Sequence, residues 1–148
     1  MYDRILIATD GSELAARGLQ HGLRLAAALS TPVLVLTVTE PWTPAFVDAV
    51  ALAADPSLQQ EYRQGCVQSA EQILEAAAAQ AAALGVACTT VHVPEGYPSE
   101  VIVAAAAEHG AGLVVMASHG RSGLGRVLLG SQTQAVLSHS TVPVLVVR

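Results

Sequence analysis

The chain has 148 residues, 52% of them hydrophobic and only 13% charged, which excludes intrinsic disorder, a state that needs low hydrophobicity and high charge. All seven basic residues are arginine, so a Walker A phosphate loop, a lysine Schiff base and a kinase-type strand lysine are excluded. The formal net charge is −5 with no basic cluster, which argues against nucleic acid as a partner.

Short apolar runs alternate with helical patterns along the chain. Ile5–Ala8 predicts a first strand, ending at Thr9-Asp10-Gly11-Ser12. From Ala15, residues Gly18, Leu19, Gly22, Leu25, Ala26 and Leu29 share one helical face. Each glycine costs about 1 kcal/mol of helix propensity, which is reasonable where that face must approach a sheet closely. Val33–Val38 predicts the second strand. Glu40–Leu58 contains Pro41, Pro44 and Pro56 and is read as a loop, with one helical turn around Ala45–Ala53. Within it, Trp42 and Phe46 either cover the sheet edge or form a lid or partner contact.

Val67, Ala70, Ile73, Leu74, Ala77, Ala81 and Leu84 form a second helical face. Val86–Val93 predicts a third strand, Ser99–His109 a third helix and Leu113–Ala117 a fourth strand. Ser131–Ser140 predicts a fourth helix, and Pro143–Val147 closes the chain as a fifth strand. Continuous apolar runs suit strands buried on both faces. The order therefore predicts a single domain over residues 1–148, a doubly wound α/β fold with a five-stranded parallel sheet and helices on both faces. With aromatics at 3%, its core must be aliphatic and alanine-rich.

Ala76–Pro94 and Val127–Val147 lack Asp, Glu, Lys and Arg, but neither is the apolar run of about 20 residues that a membrane-spanning helix needs. No signal peptide is read at Met1-Tyr2-Asp3-Arg4. Cys66 and Cys88 form neither a CxxC nor a disulfide framework, and a reducing cytoplasm is the expected compartment.

In open α/β sheets, ligands bind beyond the carboxyl ends of the strands. After the fourth strand, Gly120, Gly123, Gly125 and Gly130 fall within eleven residues. Glycines let backbone approach an anion closely, and successive N–H groups form an anion-binding nest. Ser131 is expected to cap the last helix, with Gln134 completing a capping box. That helix start then offers free N–H groups and a positive dipole end to a phosphate. Arg121 and Arg126 add positive charge. The competing reading is a plain glycine-rich turn with solvated arginines. Asp10 likewise stands between a ligand for a ribose hydroxyl or a metal-bound phosphate and a simple Asp-Gly turn. His21, His92, His109 and His139 show no metal-ligand spacing, and no G-x-S-x-G elbow supports a hydrolytic triad. His119 differs only in lying inside the glycine loop.

The segments Ala8-Thr9-Asp10-Gly11-Ser12, Met116-Ala117-Ser118-His119-Gly120-Arg121-Ser122-Gly123-Leu124, Leu128-Leu129-Gly130-Ser131 and Val142–Val147 strongly resemble the universal stress protein family, over essentially the whole chain. The resemblance implies a sheet of order 3-2-1-4-5 and ATP, with or without Mg2+, as ligand. Thr9, Asp10 and Val38 would surround adenine and ribose, with Met116 and Ala117 lining the same side. His119, Gly120, Gly130, Ser131 and Gln132 would hold the phosphates. It also implies a homodimer through Pro143–Val147, an edge strand open to pairing.

The ATP-binding branch has the pattern G-x2-G-x9-G-[ST]. Gly120, Gly130 and Ser131 match, but Ala117 replaces the first glycine. Alanine is harmless there if the backbone is near-extended, and lowers affinity if positive φ is required. The expected function is a nucleotide-binding stress-response module, not an enzyme. The alternatives are a nucleotide-free dimeric interaction protein of the same fold and an adenylating or pyrophosphatase-type enzyme. The last usually needs a phosphate loop at the first strand, where Asp10-Gly11-Ser12 has one glycine.

Overall fold

In a computed structural model, residues 2–41, 55–119 and 129–148 are described. Their elements run β1 (Ile5–Ala8), α1 (Glu13–Leu29), β2 (Val33–Val38), α2 (Pro56–Ala83), β3 (Cys88–Val93), α3 (Pro98–Glu108), β4 (Leu113–Ala117), α4 (Ser131–His139) and β5 (Val144–Val147). The sheet has five strands in the order β3-β2-β1-β4-β5, all pairs parallel. Both the order and the fold class are those expected from the sequence.

Alternate residues of the central strands face opposite layers. Ile5, Ile7, Val33, Val35, Leu113 and Val115 pack under Leu19, Leu23 and Ala26 of α1 and Leu74, Ala77 and Ala81 of α2. Leu6, Leu34, Leu36, Val114 and Met116 pack under Ile102, Ala105 and Ala106 of α3 and Val136 of α4. The core is aliphatic, as the composition requires: the largest fully buried side chains are Ile, Leu, Val and a single Thr, Thr133.

The α1 glycines lie where the helix meets the sheet. A Cβ on Gly22 would stand 2.7 Å from Ile7 Cδ1, and one on Gly18 would stand 3.4 Å from the Ala117 backbone nitrogen. Ser12 caps α1 by accepting the Ala15 N–H at 3.2 Å.

The structure corrects two boundary expectations. Residues 56–58, read as the end of the loop, already belong to α2. Asp55 is the N-cap, accepting from Ser57 N at 2.9 Å and Ser57 Oγ at 2.6 Å. Pro56 therefore occupies the first turn, where its missing N–H costs nothing. These two bonds, the Ser57 hydroxyl first, hold the Asp55 carboxyl below its ordinary range. Val67 and Leu84, placed on the buried face, are 39% and 45% exposed. The helix buries only Ala70, Leu74, Ala77 and Ala81, at its middle and C-terminal turns. The proposed helical turn around Ala45–Ala53, Trp42 and Phe46 lie outside the described residues. No helix among the described residues is long and apolar enough to cross a membrane.

Candidate functional site

The strand order reverses between β1 and β4. From β1 the chain turns to α1 on one face, while from β4 it leads to α4 on the other. The two helices thus lie on opposite faces of the sheet, which makes the ends of β1 and β4 its switch point, the position where such sheets bind ligands. The β1–β4 pairing runs to Ile7↔Val115, and Thr9 and Ala117 each follow it by two residues.

At the β1 exit, Thr9 is buried, and its carbonyl accepts from Thr37 Oγ1 at 2.9 Å. Gly11 has φ +77°, a left-handed conformation that glycine adopts without steric cost. Ser12 N donates to Asp10 Oδ1 at 2.9 Å, closing an Asx-turn of the kind that starts many helices. Asp10, at the end of β1, is thus the turn residue that the simpler of its two readings makes it. Val38, at the end of β2, and Met116 of β4 belong to the same face, the one covered by α3 and α4.

Ala117 ends β4 as a buried strand residue. The only described non-glycine residues with positive φ are Ser30 and Glu95. The alanine therefore takes an ordinary strand conformation, the case in which its Cβ carries no conformational cost.

The start of α4 is built against the end of β4. Gly130 N donates to Ser118 O at 2.9 Å. Thr133, 2% exposed, donates from Oγ1 toward Ala117 O and Ser118 O, both at 3.1 Å. The N-cap is Gly130, with φ −60° and ψ 151° and no side-chain cap. This corrects the expected role of Ser131, which is the first helical residue and not the cap. The reason is space: a Cβ on Gly130 would lie 3.3 Å from Ser118 O and 3.5 Å from His119 Cα. Gln134 N bonds back to Gly130 O, and its side chain donates to Leu129 O. The helix geometry leaves the N–H groups of Ser131, Gln132 and Thr133 without intrahelical partners, at the positive end of the dipole.

His119 follows β4, with Nδ1 3.0 Å from Ser118 Oγ. Its Nε2 is buried and has no hydrogen-bond partner among the described residues. The Gln132 side chain is engaged elsewhere in the fold: its Oε1 accepts from Ser99 N at 2.9 Å, capping the start of α3. Its backbone N–H lies in the first turn of α4. Gly120 and Arg121, with Gly123, Gly125 and Arg126, lie outside the described residues. Among the described residues, no three His, Cys, Asp or Glu side chains gather into a metal site.

Sequence reasoning missed Thr133 and Ser118. The signal for Thr133 is its spacing of three from the fully buried Val136, which puts both on the sheet-facing side of α4. Replacing Thr133 by Val, similar in shape but lacking the donor, is expected to lower stability by about 1–2 kcal/mol in urea denaturation. An unchanged midpoint would show that the hydroxyl does not hold α4 to β4.

The sequence pattern of the universal stress protein family matches residues 1–148. Universal stress protein YxiE of Bacillus subtilis is 32% identical over 149 residues, covering all of both chains. Among solved structures, protein MJ0577 of Methanocaldococcus jannaschii superposes with a TM-score of 0.81 at 29% identity, over 99% of this chain and 96% of the other. A universal stress protein in complex with cAMP superposes with a TM-score of 0.73 at 25% identity, over 99% of this chain and 97% of the other.

Proposed function

The chain belongs to the universal stress protein family, and from that premise we propose that it is an ATP-binding stress-response module. The observation that carries the reading is the start of α4. Three backbone N–H groups, an N-cap without a side chain and a buried imidazole nitrogen that has no partner among the described residues meet at the end of β4. All suit an anion held at a helix N-terminus. An adenine nucleotide is supported by the related protein that binds cAMP. ATP follows from the spacing of Gly120, Gly130 and Ser131, with Ala117 in ordinary strand geometry at the remaining position. His119, Ser131 and the Gln132 N–H would hold phosphate. Thr9, Asp10, Val38, Met116 and Ala117 would line the adenosine side. A bound Mg2+ would neutralise phosphate charge.

The described groups at the phosphate end are donors, which fits binding more than catalysis, and no enzymatic activity is proposed. We further propose a cytoplasmic homodimer paired through β5. This edge strand keeps all four residues half-exposed, leaving a row of backbone groups open to pairing.

The test is calorimetric titration of nucleotide-free protein with ATP, cAMP and adenosine. Saturable ATP binding at one site per chain, tighter than adenosine, is expected. No heat with any of the three, alongside normal folding, would overturn the reading in favour of an interaction protein of the same fold.

A further inference from the structure

We propose that Ser118 fixes the tautomer of His119, placing the ring proton on Nε2 so that the imidazole is a ready hydrogen-bond donor to the phosphate end of the ligand; the ligand part rests on the reading above. A neutral imidazole carries one N–H and one bare nitrogen, and a serine hydroxyl has one hydrogen to donate. Ser118 is 3% exposed, and the hydrogen-bond partner that the described residues give its Oγ is His119 Nδ1, at 3.0 Å.

If Nδ1 held the proton, it would donate to Oγ. The hydroxyl hydrogen would then need another acceptor, and the buried Nε2 lone pair would need a donor. Neither is present among the described residues. If Nε2 holds the proton, the hydroxyl donates to Nδ1 and both are satisfied. One group is left over, the Nε2–H. Buried polar groups are rarely left unsatisfied without a reason, so the arrangement with one orphan is preferred to the arrangement with two.

The position of the ring gives that orphan a purpose. A Cβ on Gly130 would stand 3.9 Å from His119 Cδ2, the carbon bonded to Nε2. The Cδ2 edge of the ring, next to Nε2, therefore lies beside the N-cap of α4, where the free backbone N–H groups begin. All of these groups donate. An oxyanion completes the set, whereas an uncharged ligand ending at the ribose leaves Nε2–H buried and unpaired. Ser118 is thus a positioning residue that acts through His119 to select phosphorylated ligands.

The first test needs no variant and no ligand. Long-range proton–nitrogen correlation spectra of the free, wild-type protein, with the imidazole neutral, should show a bare Nδ1 and a protonated Nε2. A protonated Nδ1, or two averaged nitrogens, overturns the proposal. The second test compares ligands. Ser118→Ala should lower the ratio of ATP to adenosine affinity at least fivefold, and Ser118→Thr, which keeps the hydroxyl, should restore it. Equal weakening toward both ligands would mark Ser118 as merely structural and overturn its selective role. If wild-type protein binds no ATP, the nucleotide reading fails, and the spectra alone decide the tautomer.

Discussion

Gly130→Val is expected to weaken ATP binding at least tenfold, about 1.4 kcal/mol, in a protein that still folds. The backbone of Gly130, at φ −60° and ψ 151°, is open to any residue, so its conformation is not what requires glycine. The requirement is proximity. An added Cβ would meet Ser118 O at 3.3 Å and His119 Cα at 3.5 Å, both parts of a backbone anchored in β4. Valine adds two further carbons in the same place. The start of α4 must then retreat, which disturbs the Gly130 N–H bond to Ser118 O and displaces the donors of Ser131 and Gln132. Contacts made by backbone N–H groups lose strength steeply as distance and angle depart from their optimum. Alanine should act in the same direction with less force. Calorimetry gives the affinity, and circular dichroism with urea denaturation checks the fold. Affinity within twofold of wild type in a folded Gly130→Val variant would remove α4 from the ligand site.

Gly22→Val is expected to destabilise the fold by about 2–3 kcal/mol. Here two effects oppose one another. Removing a helical glycine gains up to about 1 kcal/mol of propensity on going to alanine, and less for valine. Against that, the new Cβ would stand 2.7 Å from Ile7 Cδ1 and 3.3 Å from Val115 Cγ1. Both partners are fully buried, and a close-packed interior gives little. Overpacking exceeds the propensity gain, and α1 must lift from β1 and β4. Gly22→Ala should act in the same direction with less force, because its Cβ meets Ile7 Cδ1 at 2.7 Å and Cγ1 at 3.0 Å but adds no further carbons and gains the larger propensity. Urea midpoints for the two variants check the balance. A valine variant as stable as wild type would mean that α1 does not approach the sheet this closely.

The strands were legible because β1, β2 and β4 are buried on both faces and are apolar but for Thr37, whose hydroxyl is bonded to Thr9 O, and Ile5–Ala8, Val33–Val38 and Leu113–Ala117 stand as expected. Gly18 and Gly22 pointed to close helix–sheet contact for the same reason: nothing else accounts for two glycines on one helical face.

What was misread follows from context that a local pattern lacks. Pro56 resembles a breaker among its neighbouring prolines, yet after Asp55 it is a first-turn residue. Val67 and Leu84 keep the helical period of α2, but only part of this helix faces the sheet. Ser131 and Gln134 resemble a capping box. The closeness of β4 instead puts a glycine at the cap and moves the serine one place into the helix. Gln132 showed its type but not its direction, since its partner Ser99 is remote in sequence. At the candidate site, the placement of Thr9, Asp10, Ala117 and His119 at the ends of β1 and β4 was readable. The donors supplied by backbone geometry, and the Ser118–His119 pair that shapes them, were not.

The most direct measurement is a titration of isotope-labelled, nucleotide-free protein with ATP, followed residue by residue through its amide resonances. The account predicts saturable shifts concentrated at Thr9 to Ser12, Val38, Met116 to His119 and Gly130 to Thr133, with the outer half of α2 unmoved. Saturable shifts centred elsewhere, such as on β3 or α2, or no shifts at millimolar ATP, would contradict a nucleotide site between β1 and β4.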